Sequence, residues 1–318
     1  MDLLRTESLA ALRAQGDEAE ALFGEGPAGQ RMLRDDLQSP AAVGLVDFAD
    51  AVDPAVITHP VVTDVSRTRL LGAADGCRPP IACAAVGLLD AAARAIDHQN
   101  PVDWPAWHRL TPHVTALLEW LAAYLDDASL ETLLAVTVRT TKAERRSGKL
   151  ATAEKHASLA TTAGGHLGDR NAAVLTARYA LGQVVAAQGR NRAAEQLYRQ
   201  VFTLQQGVLG GDHPDTLNTR HHLATMIYYQ GRYDEAESMY RQVLADLRRV
   251  LGDEHPATLA ARDNLARVTG LQGRHREAEQ MFREVLVEQE KLLGGQHPDT
   301  VRTRARLERI TARPKAAR

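Results

Sequence analysis

Apolar residues along the second half of the chain recur at i, i+3, i+4 and i+7, and the same stripe returns one long step later. Ala194, Leu197, Tyr198 and Val201 form the first stripe. Ala236, Met239, Tyr240 and Val243 form the next, and Ala278, Met281, Phe282 and Val285 the third. Spacings of three and four place each set on one side of an α-helix. The pattern predicts three amphipathic helices that bury the same face.

The step is 42 residues, and other columns keep it. His213-Pro214-Asp215-Thr216-Leu217 returns as His255-Pro256-Ala257-Thr258-Leu259 and as His297-Pro298-Asp299-Thr300-Val301. Leu-Gly precedes each copy (Leu209-Gly210, Leu251-Gly252, Leu293-Gly294), and Leu167-Gly168 stands one step earlier. Gly189, Gly231 and Gly273 fall in step too, each followed by Arg. A glycine past a helical run ends it in the left-handed conformation. Proline suits the first helical position, where a missing N–H costs nothing, and Asp215 and Asp299 there suit the helix dipole. Each unit therefore reads as a helical hairpin, its second helix carrying the stripe. A hairpin with one apolar side left over buries it against the next hairpin, so the units stack into a solenoid.

The series begins upstream. Leu130, Leu133 and Leu134 lead to Gly148 and then Ala153-Glu154, which echo Gly189 and Ala194-Glu195 at 41 residues. The expected fold is all-α: about four hairpins, the first degenerate, and a lone closing helix at about Asp299 to Ile310 with the arginine-rich face of a terminal cap. The expected organisation is an N-terminal region over 1–75, a helical connector over 76–126 and the solenoid over 127–318.

The columns resemble the tetratricopeptide repeat. Leu181-Gly182, Ala194, Tyr198 and Val201 stand at that family's spacing. The long step and the Leu-Gly…His-Pro-Asp-Thr junction look like its kinesin-light-chain-like subfamily, strongly over about 150–318 and weakly over 127–149. The resemblance implies a right-handed superhelix whose first helices line a concave groove that binds peptides or protein segments. By register the groove positions are Tyr179, Gln183, His221, Thr225, Tyr228, Asp263, Arg267 and Gly270. That subfamily often carries Asn-Asn where this chain has Tyr179-Ala180, His221-His222 and Asp263-Asn264. Only Asn264 matches, and it joins the candidate set. The Lys/Asn pattern of repeats that clamp a terminal carboxylate is missing.

Two segments before the repeats carry a second resemblance. The run from Pro101 through Trp104, Trp107 and Pro112 to Leu118 looks like the connector that precedes such repeats in actinobacterial signalling ATPases of the STAND class. Residues 42–47 and 56–62 read as a helix end and then a short strand, similar to the close of the winged-helix domain in those ATPases. There a histidine senses nucleotide. Here His59 would take that place, although Ile57-Thr58-His59-Pro60 departs from the Met-His-Asp type of motif. The nearest thing to a phosphate loop runs from Gly24 to Arg31. It has the outer glycines but Gln30 and Arg31 in place of Lys and Ser/Thr, so no nucleotide cofactor is expected.

Bulk properties narrow the picture. A net charge of −2 gives no global field towards nucleic acid or membrane. The first 53 residues are rich in Asp and Glu, which argues against a DNA-facing N-terminus. The last 17 are rich in Arg, which reads as a solvated cap with a frayed end. Cys77 and Cys83 form neither a disulfide framework nor a zinc spacing and read as small apolar residues in a reducing compartment. Residues 1–13 have no apolar signal core, and no apolar run spans a bilayer, so the expected location is cytoplasmic.

Other constellations are weak. His221-His222 are adjacent, about 100° apart on a helix, and do not share a metal. Trp104, Trp107 and Trp120 read as core of the connector. Glu-His, Ser-His and Cys-His combinations occur without a motif around them. The expectation is a non-enzymatic scaffold or sensor module, with no cofactor and no metal, that binds a protein or peptide segment. The alternative is a regulatory subunit of a STAND-type or transcription-regulating assembly that touches nucleic acid.

Overall fold

A computed structural model of the chain describes residues 46–48, 56–58 and 78–312. Eleven α-helices make up most of them. These are α1 (Arg78–Arg94), α2 (Trp104–Ala116), α3 (Asp127–Arg146), α4 (Leu150–Ala163), α5 (Ala172–Ala187), α6 (Asn191–Val208), α7 (Pro214–Tyr229), α8 (Tyr233–Leu251), α9 (Pro256–Leu271), α10 (His275–Leu293) and α11 (Pro298–Thr311). The only sheet among the described residues pairs β1 (Val46–Phe48) with β2 (Val56–Thr58), antiparallel, Asp47 opposite Ile57. Residues 56–58 form the strand the sequence suggests. Val46 and Asp47 do not end a helix but open β1, where the β-branched and aromatic residues of this run favour a strand. His59, the loop from Gly24 to Arg31, Cys77 and the tail residues Lys315 and Arg318 lie outside the described residues.

The chain divides into two compact units, residues 1–167 and 168–318. The second holds three hairpins, α5–α6, α7–α8 and α9–α10, closed by α11. Its first helices start on a side-chain cap. The Nδ1 atoms of His213, His255 and His297 accept from the backbone N–H of Asp215, Ala257 and Asp299 at 3.2, 3.1 and 3.3 Å. Histidine ahead of proline thus satisfies a donor that a helix start leaves orphaned. Asn171 does the same for α5 at 2.9 Å. Each hairpin turns at its glycine: Gly189, Gly231 and Gly273 hold φ of 77°, 79° and 87°.

The core follows the stripes. Ala194, Ala236 and Ala278 are fully buried, and Tyr198, Tyr240 and Phe282 nearly so. Opposite Tyr198 stands Gly182, where an added Cβ would lie 2.9 Å from Tyr198 Cε1. One and two steps on, Ala224 and Ala266 take that position against Tyr240 and Phe282.

Successive units are tied by ion pairs that keep the period. Glu195 accepts from Arg232 Nη1 at 2.9 and 3.0 Å and from Gln230 at 2.6 Å. One step later Glu237 meets Arg274 at 2.5 Å. Arg232 and Arg274, each after its turn glycine, therefore reach back to the preceding hairpin. A second rung joins Asp212 to Arg249 at 2.8 Å and, one step on, Glu254 to Lys291 at 3.1 Å. The pairs of this second rung are exposed and contribute under about 1 kcal/mol each, so they fix register more than they add stability.

The first unit carries the degenerate hairpin, α3–α4, which turns at Gly148 with φ of 81° and buries Ala153. α1 and α2 pack on α3, and Trp107, Leu130, Leu133 and Leu134 are completely buried. Trp104 is half-buried. Trp120, read from the sequence as core, is 44% exposed: it sits in the widened π-turn Leu117–Leu121, which breaks the helical register on which that reading rests. Asp90 of α1 binds Arg139 of α3 and Arg94 of its own helix.

At the unit's centre, Glu144 of α3 and His156 of α4 are 1% and 0% exposed. Their Oε2 and Nδ1 atoms lie 2.9 Å apart. His156 Nε2 meets Thr115 Oγ1 at 2.7 Å, and Thr115 donates its proton to the Thr111 carbonyl at 3.0 Å. Nε2 must therefore be the donor to Thr115. Thr111 Oγ1 shares its proton between Glu144 Oε1 and the Trp107 carbonyl, each 3.2 Å away.

Candidate functional site

The first helices of the second unit present a row of half-buried polar side chains. On α5, Tyr179 Oη accepts from Gln183 Nε2 at 3.0 Å and from Asn218 Nδ2 of α7 at 2.9 Å. On α7, Thr225 Oγ1 donates to the His221 carbonyl at 3.0 Å and meets Tyr240 Oη at 2.8 Å. With the Thr225 proton so used, Tyr240 is the donor to it. Burial holds the Tyr240 hydroxyl above the usual phenol range.

Between α7 and α9 the row continues through three side chains. Arg267 Nη2 donates to Tyr228 Oη at 3.0 Å, and its guanidinium carbon stands 4.5 Å above the Tyr228 ring. Arg267 Nη1 donates to Asn264 Oδ1 at 3.2 Å. The Asn264 amide nitrogen is thereby turned to His221 Nε2, 3.0 Å away, and donates to it. His221 is thus a neutral imidazole with its hydrogen on Nδ1. Burial first, and the neighbouring His222 second, push its pKa down to about 3. Around it the rings of Tyr179, Tyr198, His222, His221 and Tyr240 touch in sequence, with centroids 5.5 to 5.8 Å apart.

Seven of the nine candidate residues, Tyr179, Gln183, His221, Thr225, Tyr228, Asn264 and Arg267, thus lie in or beside one hydrogen-bonded row. Asp263 is placed differently. It is 6% exposed, accepts from Thr303 Oγ1 at 3.0 Å and pairs with Arg306 of α11. The column explains why. Tyr179, His221 and Asp263 stand one step apart, and each reaches the following first helix: Asn218, Asn264, and Thr303 with Arg306. A carboxylate there meets a guanidinium and is drawn into the α9–α11 contact. Gly270 is buried as well, and a Cβ on it would stand 3.1 Å from Ile310 Cδ1.

Asn218 is the member that the sequence reading missed. It lies three residues before His221 on the same helix face, so the helical period alone could have found it. Among the described residues no three His, Cys, Asp or Glu side chains gather as metal ligands, and no helix is long and apolar enough to cross a membrane.

Stacked hairpins with a small residue set against an aromatic and a glycine turn in every unit define a helical-repeat protein. Residues 173–248 and 215–286 match the tetratricopeptide repeat family, so this stretch carries tetratricopeptide repeats. Solved structures similar to it include the tetratricopeptide-like repeats of a protein assigned as a kinesin light chain from Podosopora anserina, 26% identical over 56% of this chain and 84% of that one, with a TM-score of 0.48. BtubC (BKLC) from P. vanneervenii is 16% identical over 65% of this chain and 81% of that one, with a TM-score of 0.55, a likeness of fold. A signal transduction ATPase with numerous domains and a tetratricopeptide repeat sensor, from Pyrococcus horikoshii, is 13% identical over 98% of this chain and 53% of that one, with a TM-score of 0.47. No curated protein sequence matches the chain.

Proposed function

We propose that this protein is a non-enzymatic scaffold or sensor module whose repeats hold an extended protein segment along the row from Tyr179 to Arg267. The observation that carries the reading is that row. Its side chains belong to the first helices of three successive hairpins, yet they hold one another at hydrogen-bond distance before any ligand arrives. Side chains fixed in this way lose little conformational freedom on binding. Tyr and Arg, which dominate binding energy at protein interfaces, stand at its ends partly exposed.

An extended segment is the occupant that fits. Polar groups at intervals of one repeat suit the backbone amides and alternate side chains of a strand-like peptide. Tetratricopeptide repeats as a family are protein-interaction scaffolds, which agrees with the reading.

The test is a triple variant, Gln183→Ala, Asn218→Ala and Asn264→Ala, in the full chain. These residues are polar and sit at the rim, so trimming them leaves the apolar core intact. Wild type and variant are immobilised and exposed to lysate of the native cell, and captured proteins are identified by mass spectrometry. The variant should melt within a few degrees of wild type and lose the specific partner. Unchanged melting with unchanged capture would place binding elsewhere on the chain.

A further inference from the structure

Where the row reaches the closing helix, a cavity of about 420 Å³ opens between α7, α9, α10 and α11. Tyr228 of α7 is followed one step later by Gly270 of α9, and Ile310 of α11 closes on that glycine, its Cδ1 3.1 Å from where a Cβ would stand. The hollow is floored by Phe282 and Ile310 and walled by arginines: Arg267 from α9, and Arg302, Arg306 and Arg309 from α11.

The arginines differ in their partners. Arg306 is paired with Asp263 and Arg302 with Asp299. Arg267 binds only the neutral Tyr228 and Asn264, and no ion pair or hydrogen bond joins Arg309 to another described residue. Arg267 and Arg309 are also register equivalents, one step apart on neighbouring first helices. Two guanidiniums without a carboxylate therefore face one apolar-floored hollow. Burial beside them already holds Arg306 below the usual guanidinium range, with Arg309 contributing.

We propose that this pocket is the anchor subsite of the bound segment, and that it takes a carboxylate flanked by an aliphatic or aromatic side chain. The guanidiniums of Arg309 and Arg267 would grip the carboxylate, as planar forks suited to two-point contact do. The apolar neighbour would pack on Phe282 and Ile310. On this view α11 is more than a solvated cap, because it supplies one wall of a binding site.

The inference rests on the reading of the repeats as a segment-binding surface, but the two can fail separately. The probe is a short peptide, acetylated and amidated, with two glutamates beside one leucine, titrated into the full chain by calorimetry. Its glutamine analogue and a glutamate-free version with a free C-terminal carboxylate are the other arms. The glutamate peptide should bind at least about tenfold more tightly than the glutamine analogue, and Arg309→Ala should remove that advantage. Ile310→Ala, which trims the apolar floor, should weaken the leucine peptide and leave a leucine-to-alanine peptide unaffected. If the free-acid peptide gains instead of the glutamate peptide, the pocket reads a chain terminus with the same chemistry. No measurable binding by either acidic peptide, equal binding by the glutamine analogue, or indifference to Arg309→Ala would overturn the pocket. An Arg309→Ala chain that still captures the native partner, beside a Gln183, Asn218 and Asn264 variant that does not, would remove the pocket and leave the row standing. Arg309 is exposed, so its variant is expected to fold.

Discussion

In the second unit, ion pairs such as Glu195–Arg232 and Asp212–Arg249 stand at hairpin ends, while the stripes of Ala, Tyr and Val meet inside. In the first unit the arrangement is reversed at one point: Glu144 and His156 lie at the centre, with Thr115 and Thr111 closing the chain of hydrogen bonds. The difference is one of design pressure. Stacked repeats need only a surface that matches the next copy, and a column of apolar side chains with a charged rim provides that. Where α2 packs on the degenerate hairpin α3–α4 there is no copy to match, and a satisfied polar cluster can hold the three helices in one arrangement. Removing one partner of such a cluster is expensive because the other is left buried and unpaired.

The largest effect should come from breaking the apolar side of this comparison. Ala236 is fully buried where α8 meets its neighbours. Ala236→Arg forces a long charged side chain into that space and should destabilise the second unit by about 5 kcal/mol or more. Ser238→Arg, exposed on the same helix, is the control and should melt like wild type. Glu235 would be a poor control, since it pairs with Arg232 at 2.5 Å and with Arg199 at 3.3 Å. All three tryptophans lie in the first unit, and six of the seven tyrosines in the second. Tryptophan fluorescence and tyrosine near-ultraviolet dichroism thus read the two units separately. Equal melting of the two variants by the tyrosine signal would mean that the register assigned to α8 is wrong.

The next effect tests the polar centre. His156→Ala leaves Glu144 with Thr111 as its sole remaining partner in the cluster and should cost about 3–5 kcal/mol by the tryptophan signal. Replacing both residues together, Glu144→Leu with His156→Leu, should recover much of that loss. A double variant as unstable as the two single losses added together would show that the two residues are not coupled, and that the buried pairing has been assigned wrongly.

These two units were unequally legible in the sequence. Every column of the second appears three times, so chance is excluded and each position acquires a role: glycine for the turn, alanine for close approach, proline for the helix start. Even there, period alone did not say what the histidine before proline does, because capping is a matter of side-chain direction. Nor did it show that Asp263 turns to α11, since that depends on an arginine that only the closing helix supplies. In the first unit the polar centre had no signal. Glu144 meets His156 at 12 residues' distance, Thr111 at 33, and His156 meets Thr115 at 41. No second copy of those spacings exists to mark them. The arginine pocket was hidden for a different reason: its walls come from separate helices, and only packing brings Arg267 of α9 and Arg309 of α11 to one hollow.

The smallest effect concerns how each unit keeps a histidine. In the first, His156 has a carboxylate at 2.9 Å. In the second, His221 has none: its neighbours are His222, Tyr240 and Asn264, with the Arg267 guanidinium behind the amide. A proton added at Nε2 would replace an accepted hydrogen bond with a clash of donors, in a place where burial already disfavours charge. In the unfolded chain the same ring titrates near 6.5, and in the folded one only near 3. Between those values the unfolded state binds more protons, so stability is fully present above about 6.5 and falls as the pH is lowered. Between pH 6.5 and 5 the loss from this residue is at most about 2 kcal/mol. His221→Gln keeps an acceptor for Asn264 and removes the titration. The tyrosine-reported melting temperature of the wild type should drop more between pH 7 and pH 5 than that of the variant, because the other histidines contribute equally to both. Parallel pH profiles for the two proteins would show that His221 already takes a proton in the folded state, and that the neutral ring in the row has been assigned wrongly.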